Sequence, residues 1–207
     1  SKNIFKWNNQ SFTNLYASKI GSDDNLEAPK RFDNKINSKF HESTPVFTKD
    51  GKTMYFTRNN FLNGKRGKDS QRVTLLKIYR STLVDGQWTN VTELPFNSDN
   101  YSVAHPALSL DEKILYFASD MPGTLGQSDL FVVTISENGT YSSPENLGSK
   151  INTEGRETFP MISAENELYF ASDGRPGLGG LDIYVTRLDE NQNIGEIQNI
   201  GEPVNSP

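Results

Sequence analysis

Four aspartates stand where carboxylate chemistry could be done. Asp120 and Asp173 each close an Ala-Ser-Asp triplet, and Asp129 and Asp182 follow them, each nine residues further on. Paired acids across a cavity are what glycoside hydrolysis needs: one protonates the leaving oxygen while the other acts as base or nucleophile. An acid and a base must, however, sit in different environments for their pKa values to separate. These residues recur at the same places in successive segments, so each pair has equivalent surroundings. Aspartate beside glycine-rich loops also has a local use, accepting hydrogen bonds from loop amides. The pattern favours that role for all four, and equally for Asp50 and Asp111 in shorter acidic turns.

The remaining reactive residues are few. His41 and His105 are the only histidines, and they precede different prolines by four and one residues. No Gly-x-Ser-x-Gly elbow accompanies them, and two histidines fall short of a metal ligand set. Hydrogen bonding in loops or between repeats is their expected role. Cysteine is absent, which removes disulfides, thiolate metal sites and a cysteine nucleophile together. The loops Met121–Gly126 and Gly174–Gly180 lack the Gly-Lys-Ser/Thr ending of a phosphate cradle, and no helical period follows them. Their glycines are expected to supply positive φ. The chain is therefore read as non-enzymatic, with no catalytic residue, cofactor or metal.

What positions these residues is an internal repeat. Three segments open on proline and an apolar pair, at Pro45-Val46-Phe47, Pro106-Ala107-Leu108 and Pro160-Met161-Ile162. Each passes an acidic turn (Asp50-Gly51-Lys52, Asp111-Glu112-Lys113, Glu165-Asn166-Glu167) into an aromatic run (Met54-Tyr55-Phe56, Leu115-Tyr116-Phe117, Leu168-Tyr169-Phe170). The prolines are 61 and 54 residues apart, somewhat above the ~40–50 of common propeller blades. Asp129-Leu130-Phe131-Val132 matches Asp182-Ile183-Tyr184-Val185, with further copies at Lys77–Arg80 and Asn14–Ala17. Linkers at Ile36-Asn37-Ser38, Phe96-Asn97-Ser98 and Ile151-Asn152-Thr153 lead to the next proline, and Val204-Asn205-Ser206-Pro207 begins another. Asp85-Gly86 and Asn138-Gly139 suit two-residue hairpin turns. Runs such as Leu-Tyr-Phe-Ala are apolar at consecutive positions, as a strand covered on both faces requires.

The reading is an all-β chain, a β-propeller of four-stranded antiparallel blades whose edges are protected by radial repetition. All 207 residues form one partial propeller domain, with an outer half-blade at 1–36, blades at 37–96, 97–151 and 152–204, and the start of another at 205–207. Rings close with about four to eight blades, so about 3.5 blades predict further sequence on both sides and a ring of five or six. Composition agrees: aromatics are 11% of the chain, more than a disordered segment carries. A net charge of -5 gives no overall basic footprint for nucleic acid, and no apolar run is long enough to enter a bilayer directly.

The pattern Pro-x-x-x-Asp-Gly-Lys-x-x-Tyr-Phe, joined to Ser-Asp and Asp-Ile-Tyr-Val, resembles the WD40-like PD40 repeat of TolB-type propellers. The stretch Phe170–Val185 is closer still to the propellers of OmpA-family envelope lipoproteins of the Bacteroidota, PorE-like members included. That resemblance implies a periplasmic, outer-membrane-associated protein whose propeller binds envelope proteins, among them type IX secretion or gliding components. It also implies peptidoglycan binding by a domain outside these residues. A propeller glycosidase, the gating propeller of a peptidase, and a module for glycan or peptidoglycan fragments are the alternatives.

One feature has no counterpart in the other repeats. The segment from Asn59 to about Leu76 carries Lys65, Arg66, Lys68 and Arg72 against Asp69, with Phe61 and Leu62 at its start. It reads either as a solvated loop or as a partner-docking element. Strand alternation puts loops after second and fourth strands on one face, beside Asn97–Val103 and Lys150–Glu157. Loops on a rigid scaffold are where binding concentrates, and arginine and aromatic residues are enriched at interfaces. The candidate partner-binding residues are therefore Arg58, Phe61, Arg66, Tyr101 and Arg156.

Overall fold

The computed structural model describes residues 4–5 and 9–207; residues 1–3 and 6–8, inside the expected half-blade, lie outside the described residues. No helix occurs among the described residues. Two short pairs come first: β1 (Ile4–Phe5) with β2 (Gln10–Ser11), then β3 (Tyr16–Ala17) with β4 (Lys30–Arg31). The first full blade holds β5 (Glu42–Phe47), β6 (Thr53–Asn59), β9 (Leu76–Val84) and β10 (Gln87–Glu93). Between β6 and β9 stands a hairpin of β7 (Phe61–Leu62) and β8 (Lys65–Arg66). The next blade is β11 (Val103–Leu108), β12 (Ile114–Ser119), β13 (Asp129–Thr134) and β14 (Glu145–Asn146). The last is β15 (Glu157–Ile162), β16 (Glu167–Ser172), β17 (Asp182–Leu188) and β18 (Ile194–Asn199). In all three the pairing is antiparallel and sequential, and β11 lies between β5 and β15 at the centre of the stack. The fold is a β-propeller.

Each apolar core lies between blades. Phe117, Phe131 and Val133 pack against Tyr55, Ile78 and Phe96 of the blade before them, while Tyr116, Ala118 and Leu130 pack against Leu168, Phe170 and Tyr184 of the blade after. Both faces of β12 and β13 are thus dry, which is why their apolar residues are consecutive. A fully buried ring such as Phe117 contributes about 1.5–3 kcal/mol. On the last blade, Tyr169, Val185 and Met161 alternate with the residues that meet β11–β14, and Met161 stays 50% exposed.

Turn chemistry follows the residues. The first turn of each blade holds one left-handed residue: Gly51 (φ 66°), Glu112 (φ 60°) and Asn166 (φ 60°). Asp85 and Gly86 both have positive φ between β9 and β10, the twist a two-residue hairpin needs. Each first strand carries a bulge whose left-handed residue, Thr44, His105 or Phe159, precedes the repeat's proline. A β-branched residue there is an outlier, and Thr44 is held by a hydroxyl contact of 2.8 Å to Thr57.

The linkers are fixed by one side chain. The Asn152 amide accepts from Leu130 N at 2.8 Å and donates to Leu130 O at 3.0 Å, imitating a strand partner. Asn37 does the same to Leu15, Asn97 to Ile78 and Asn205 to Ile183. Each linker is thereby sewn to the third strand of the blade it leaves. Close approach also explains part of the glycine pattern. Gly126 and Gly179 have ordinary φ, but a Cβ there would run into the carbonyl oxygens of Thr153 and Ser206, the residues after two of these asparagines. The expected positive φ holds in these loops for Gly123 alone.

Two substitutions test this framework by urea unfolding. Asn152→Ala strands a buried N–H and C=O of Leu130, so a loss of roughly 2–4 kcal/mol is expected. Gly126→Ala forces two blades apart where backbones touch and should cost about 1–3 kcal/mol. Wild-type stability in either would remove these contacts from the account.

Candidate functional site

The repeated aspartates are occupied by backbone. Asp129 is fully buried and accepts from Leu125 N at 2.7 Å and Gly126 N at 3.3 Å, with Asn146 Nδ2 at 2.6 Å. Asp182 holds Leu178 N and Gly179 N in the same way. Asp120 accepts from Ser102 N and Asp173 from Arg156 N, both at 2.6 Å. The first full blade has Asn59 at this place, and its side chain accepts from His41 N at 3.1 Å. In the acidic turns, the Thr48 hydroxyl and Lys52 amide hold the Asp50 carboxyl below its usual range, and Ser109 and Lys113 do the same for Asp111. Every one of these carboxylates performs the loop-capping role read from the sequence.

The histidines lie between structural neighbours. His105 stacks on Phe159 with ring centroids 3.9 Å apart, and its Nδ1 is 2.7 Å from Thr158 Oγ1. Burial pushes its pKa down to about 4. His41 packs against Phe12 and its Nδ1 lies 3.0 Å from Thr13 Oγ1. Among the described residues no group of three or more His, Asp and Glu side chains is arranged to hold a metal ion.

Of the five candidate partner-binding residues, Arg58 is misplaced. It is 3% exposed, 3.2 Å from the Glu42 carboxylate, and donates to the carbonyls of Ile36 and Lys35 at 2.5 and 3.1 Å. Its guanidinium lies over Phe56 and Tyr79 at 4.9 and 5.1 Å. Burial lowers the Arg58 pKa and raises that of Glu42. Arg58 is a structural cation, shut in because strand alternation at β6 turns it into the blade. Arg175, from a glycine-rich loop, reaches the equivalent place in the last blade, over Phe170 and Tyr184 and bonded to Ile151 O at 2.9 Å. The middle blade buries Met121 among its rings instead.

The other four separate into three places. Phe61 and Arg66 belong to the β7–β8 hairpin, which is paired strand to strand and tied to its blade by hydrogen bonds. Phe61 N donates to Tyr79 OH at 3.2 Å, Asn60 Nδ2 to Asp99 at 2.6 Å, and Arg66 Nε to Thr74. The hairpin turns on Asn63 (φ 50°) and Gly64 (φ 79°), and that Asn-Gly pair is the signal the sequence reading passed over. Tyr101 is half-buried against the inter-blade core, its hydroxyl donating to Phe96 O at 3.2 Å. Arg156 is exposed beside Gln127 and Asp173, one blade further on. The unrepeated segment sits beside Asn97–Val103, with Asn60 on Asp99 before the hairpin and Leu76 N on Ser102 after it, whereas Gly155 and Arg156 meet the loops of the two later blades.

Sequence reasoning also passed over Phe40 and Lys39. Phe40 meets Phe61 edge-on at 5.1 Å and Phe12 at 5.8 Å. Lys39 Nζ lies over the Phe61 and Phe40 rings at 5.2 and 5.8 Å, and the Arg66 guanidinium covers Phe40 at 5.2 Å. The result is a ridge of two phenyl rings roofed by cations, with a cleft of about 460 Å³ alongside it, lined by Lys35, Ser38, Phe61, Leu62 and Asn90.

No family model matches the sequence, and no curated protein sequence matches it either. Solved structures do. TolB from Acinetobacter baumannii aligns over 91% of this chain and 38% of its own, at a TM-score of 0.52 and 17% identity. An α-L-arabinofuranosidase from Lactobacillus brevis aligns over 80% of this chain and 57% of its own (TM-score 0.55, 14% identity). A thermostable family-43 glycoside hydrolase aligns over 93% and 72% (TM-score 0.51, 11% identity). The chain thus spans less than two thirds of the first two. At these identities the likeness defines the class, a β-propeller, and nothing narrower.

A pH titration tests the His105 environment. The unfolded ring takes its proton near pH 6.5 and the folded one near 4. Stability from keeping it neutral is complete above pH 6.5 and is lost as pH falls towards 4, a change of roughly 3 kcal/mol at most. His105→Gln should flatten that part of the stability profile; an unchanged slope would rule the ring out as its source.

Proposed function

We propose that this propeller is a non-catalytic, protein-binding scaffold of a periplasmic protein associated with the outer membrane. Its partners on this reading are envelope proteins of a type IX secretion or gliding machinery, with peptidoglycan anchoring left to a domain outside these residues. One observation carries the proposal: repeated and unrepeated residues are divided between two tasks. The acidic side chains that recur from blade to blade are engaged with loop amides. The hairpin Phe61–Arg66 has no counterpart in the other blades, yet is held firmly and carries cations outward. A rigid scaffold with one distinctive loop cluster is how binding sites are commonly built. The envelope location rests on the repeat's resemblance to PD40 propellers of OmpA-family lipoproteins, and a TolB structure among the similar folds is consistent with it.

The rival reading is an enzyme, and propeller glycosidases share this fold. Both are tested by immobilising the protein and capturing from a solubilised envelope extract, beside a version in which 60–74 is replaced by a short turn. The expected result is one defined protein held by the intact form only, and bound again when both are purified. Two folded baits that capture nothing, together with hydrolysis of a glycan or peptide panel abolished by a single acidic substitution, would replace the scaffold by an enzyme.

A further inference from the structure

The charge of this chain is divided unevenly along it. Residues 30–80 contain thirteen Lys and Arg against four Asp and Glu, while the rest contains eight against twenty-two. A chain of net charge -5 is thus a +9 segment joined to a -14 remainder. The positive segment runs from β4 to β9 and includes the hairpin. Two of its cations are internal: Arg58 pairs with Glu42, and Lys77 is 2.9 Å from Glu93 and 2.8 Å from Asp99. By contrast Lys39, Lys65 and Arg66 are exposed and form no ion pair among the described residues. Glu93 and Asp99 line a pocket with Lys65 and Arg66 but pair with Lys77, which leaves these three cations without a carboxylate partner of their own among the described residues.

Their setting narrows the choice of ligand. Sugars and nucleic-acid bases are bound on aromatic residues through an open ring face. Here the faces of Phe40 and Phe61 lie under Lys39 and Arg66, and the two rings meet edge-on with an interplanar angle of 61°. A stacking ligand would have to displace these cations from the ring faces they cover, and what the ridge offers directly is cationic heads held in place by the rings beneath them. Cations anchored in this way give up less side-chain freedom when an anion arrives. Beside the ridge, the cleft is mostly polar but includes Phe61, Leu62 and Val91, an apolar strip next to the charges that can take apolar side chains.

We infer that the Lys39–Phe40–Phe61–Arg66 ridge docks an acidic, extended protein segment in which carboxylates alternate with apolar residues. The carboxylates meet Lys39, Lys65 and Arg66, and the apolar side chains enter the cleft along β7. This inference rests on the protein-binding reading and adds the chemistry of the partner.

The test is fluorescence anisotropy with a short labelled peptide alternating glutamate and leucine, beside its glutamine–leucine counterpart. The glutamate peptide should bind, should weaken as salt rises towards physiological strength, and should lose roughly tenfold in affinity to K39E/R66E. K39Q/R66Q should fall between and K113E, away from the ridge, should match wild type, while urea unfolding of each variant separates lost affinity from any cost of removing the Arg66–Thr74 bond and the cations over the rings. Absence of binding to the glutamate peptide, equal binding of the glutamine peptide, or tighter binding of an oligouronate, single-stranded DNA or anionic vesicles would overturn the inference. The envelope capture separates it from the scaffold reading. A partner still held by K39E/R66E leaves the scaffold standing and removes this ridge from it. Peptide binding by a protein that captures nothing puts the scaffold in question instead.

Discussion

A single carboxamide stands in for a strand at every passage from one blade to the next. A chain leaving its fourth strand must cross to the inner strand of the neighbouring sheet, and the third strand it passes has backbone groups that need partners. Asparagine is suited to this because its side chain carries a carbonyl acceptor and an N–H donor in one plane, as a peptide group does, with a second N–H to spare. Leucine or aspartate at that place would leave either both backbone groups or the carbonyl unmet. Because Asn37, Asn152 and Asn205 are each 4% exposed or less and Asn97 is half-buried, the bond forms largely away from water, where an unmet group costs most. The position of each linker, and so of the loops packed on it, follows from that bond.

With linkers fixed, the blades can exchange apolar faces. Tyrosines of the second strands show how the outer rim is closed: Tyr55 OH lies 3.1 Å from Tyr141 OH, and Tyr116 OH donates to Gln192 at 2.9 Å, each across a blade boundary. Interiors packed this way tolerate variation if volume and polarity are satisfied. The ring end of each blade illustrates it, with Arg58, Met121 and Arg175 arriving from different sequence positions at comparable places over the aromatic pair. The two arginines bring a charge inside, and both meet it with linker carbonyls, the first with Glu42 as well. Such an ion pair adds little net stability but is costly to break from one side.

The same economy explains why the aspartates and the hairpin differ in meaning. A residue needed for the geometry of a blade is needed in every blade, so Asp120 and Asp173, or Asp129 and Asp182, repeat together. The β7–β8 hairpin and the Lys39–Phe40 pair below it answer to no such need, and they bring cations to one part of an acidic molecule. A field of that kind steers oppositely charged partners towards one orientation before contact.

By itself the sequence determined the repeat, and through it the strands, the turns and the stacking of blades. Proline, acidic turn, aromatic run and asparagine linker each specify local geometry, and their recurrence leaves one architecture able to bury runs that are apolar on both sides. It also determined the work of Asp129 and Asp182, whose carboxylates act on loop amides three and four residues away, whereas the amides that Asp120 and Asp173 meet, in the loops before β11 and β15, come from the fold. Only the tertiary structure decided which cations are surface and which are core. Arg58 and Arg66 look alike in sequence, yet one is enclosed by Glu42, Phe56 and Tyr79 and the other lies over Phe40 in solvent. Phe40 and Phe61 are distant in the chain and adjacent in space, so their ridge follows from how two segments meet. Burial and long-range proximity are properties of packing, and no local pattern records them.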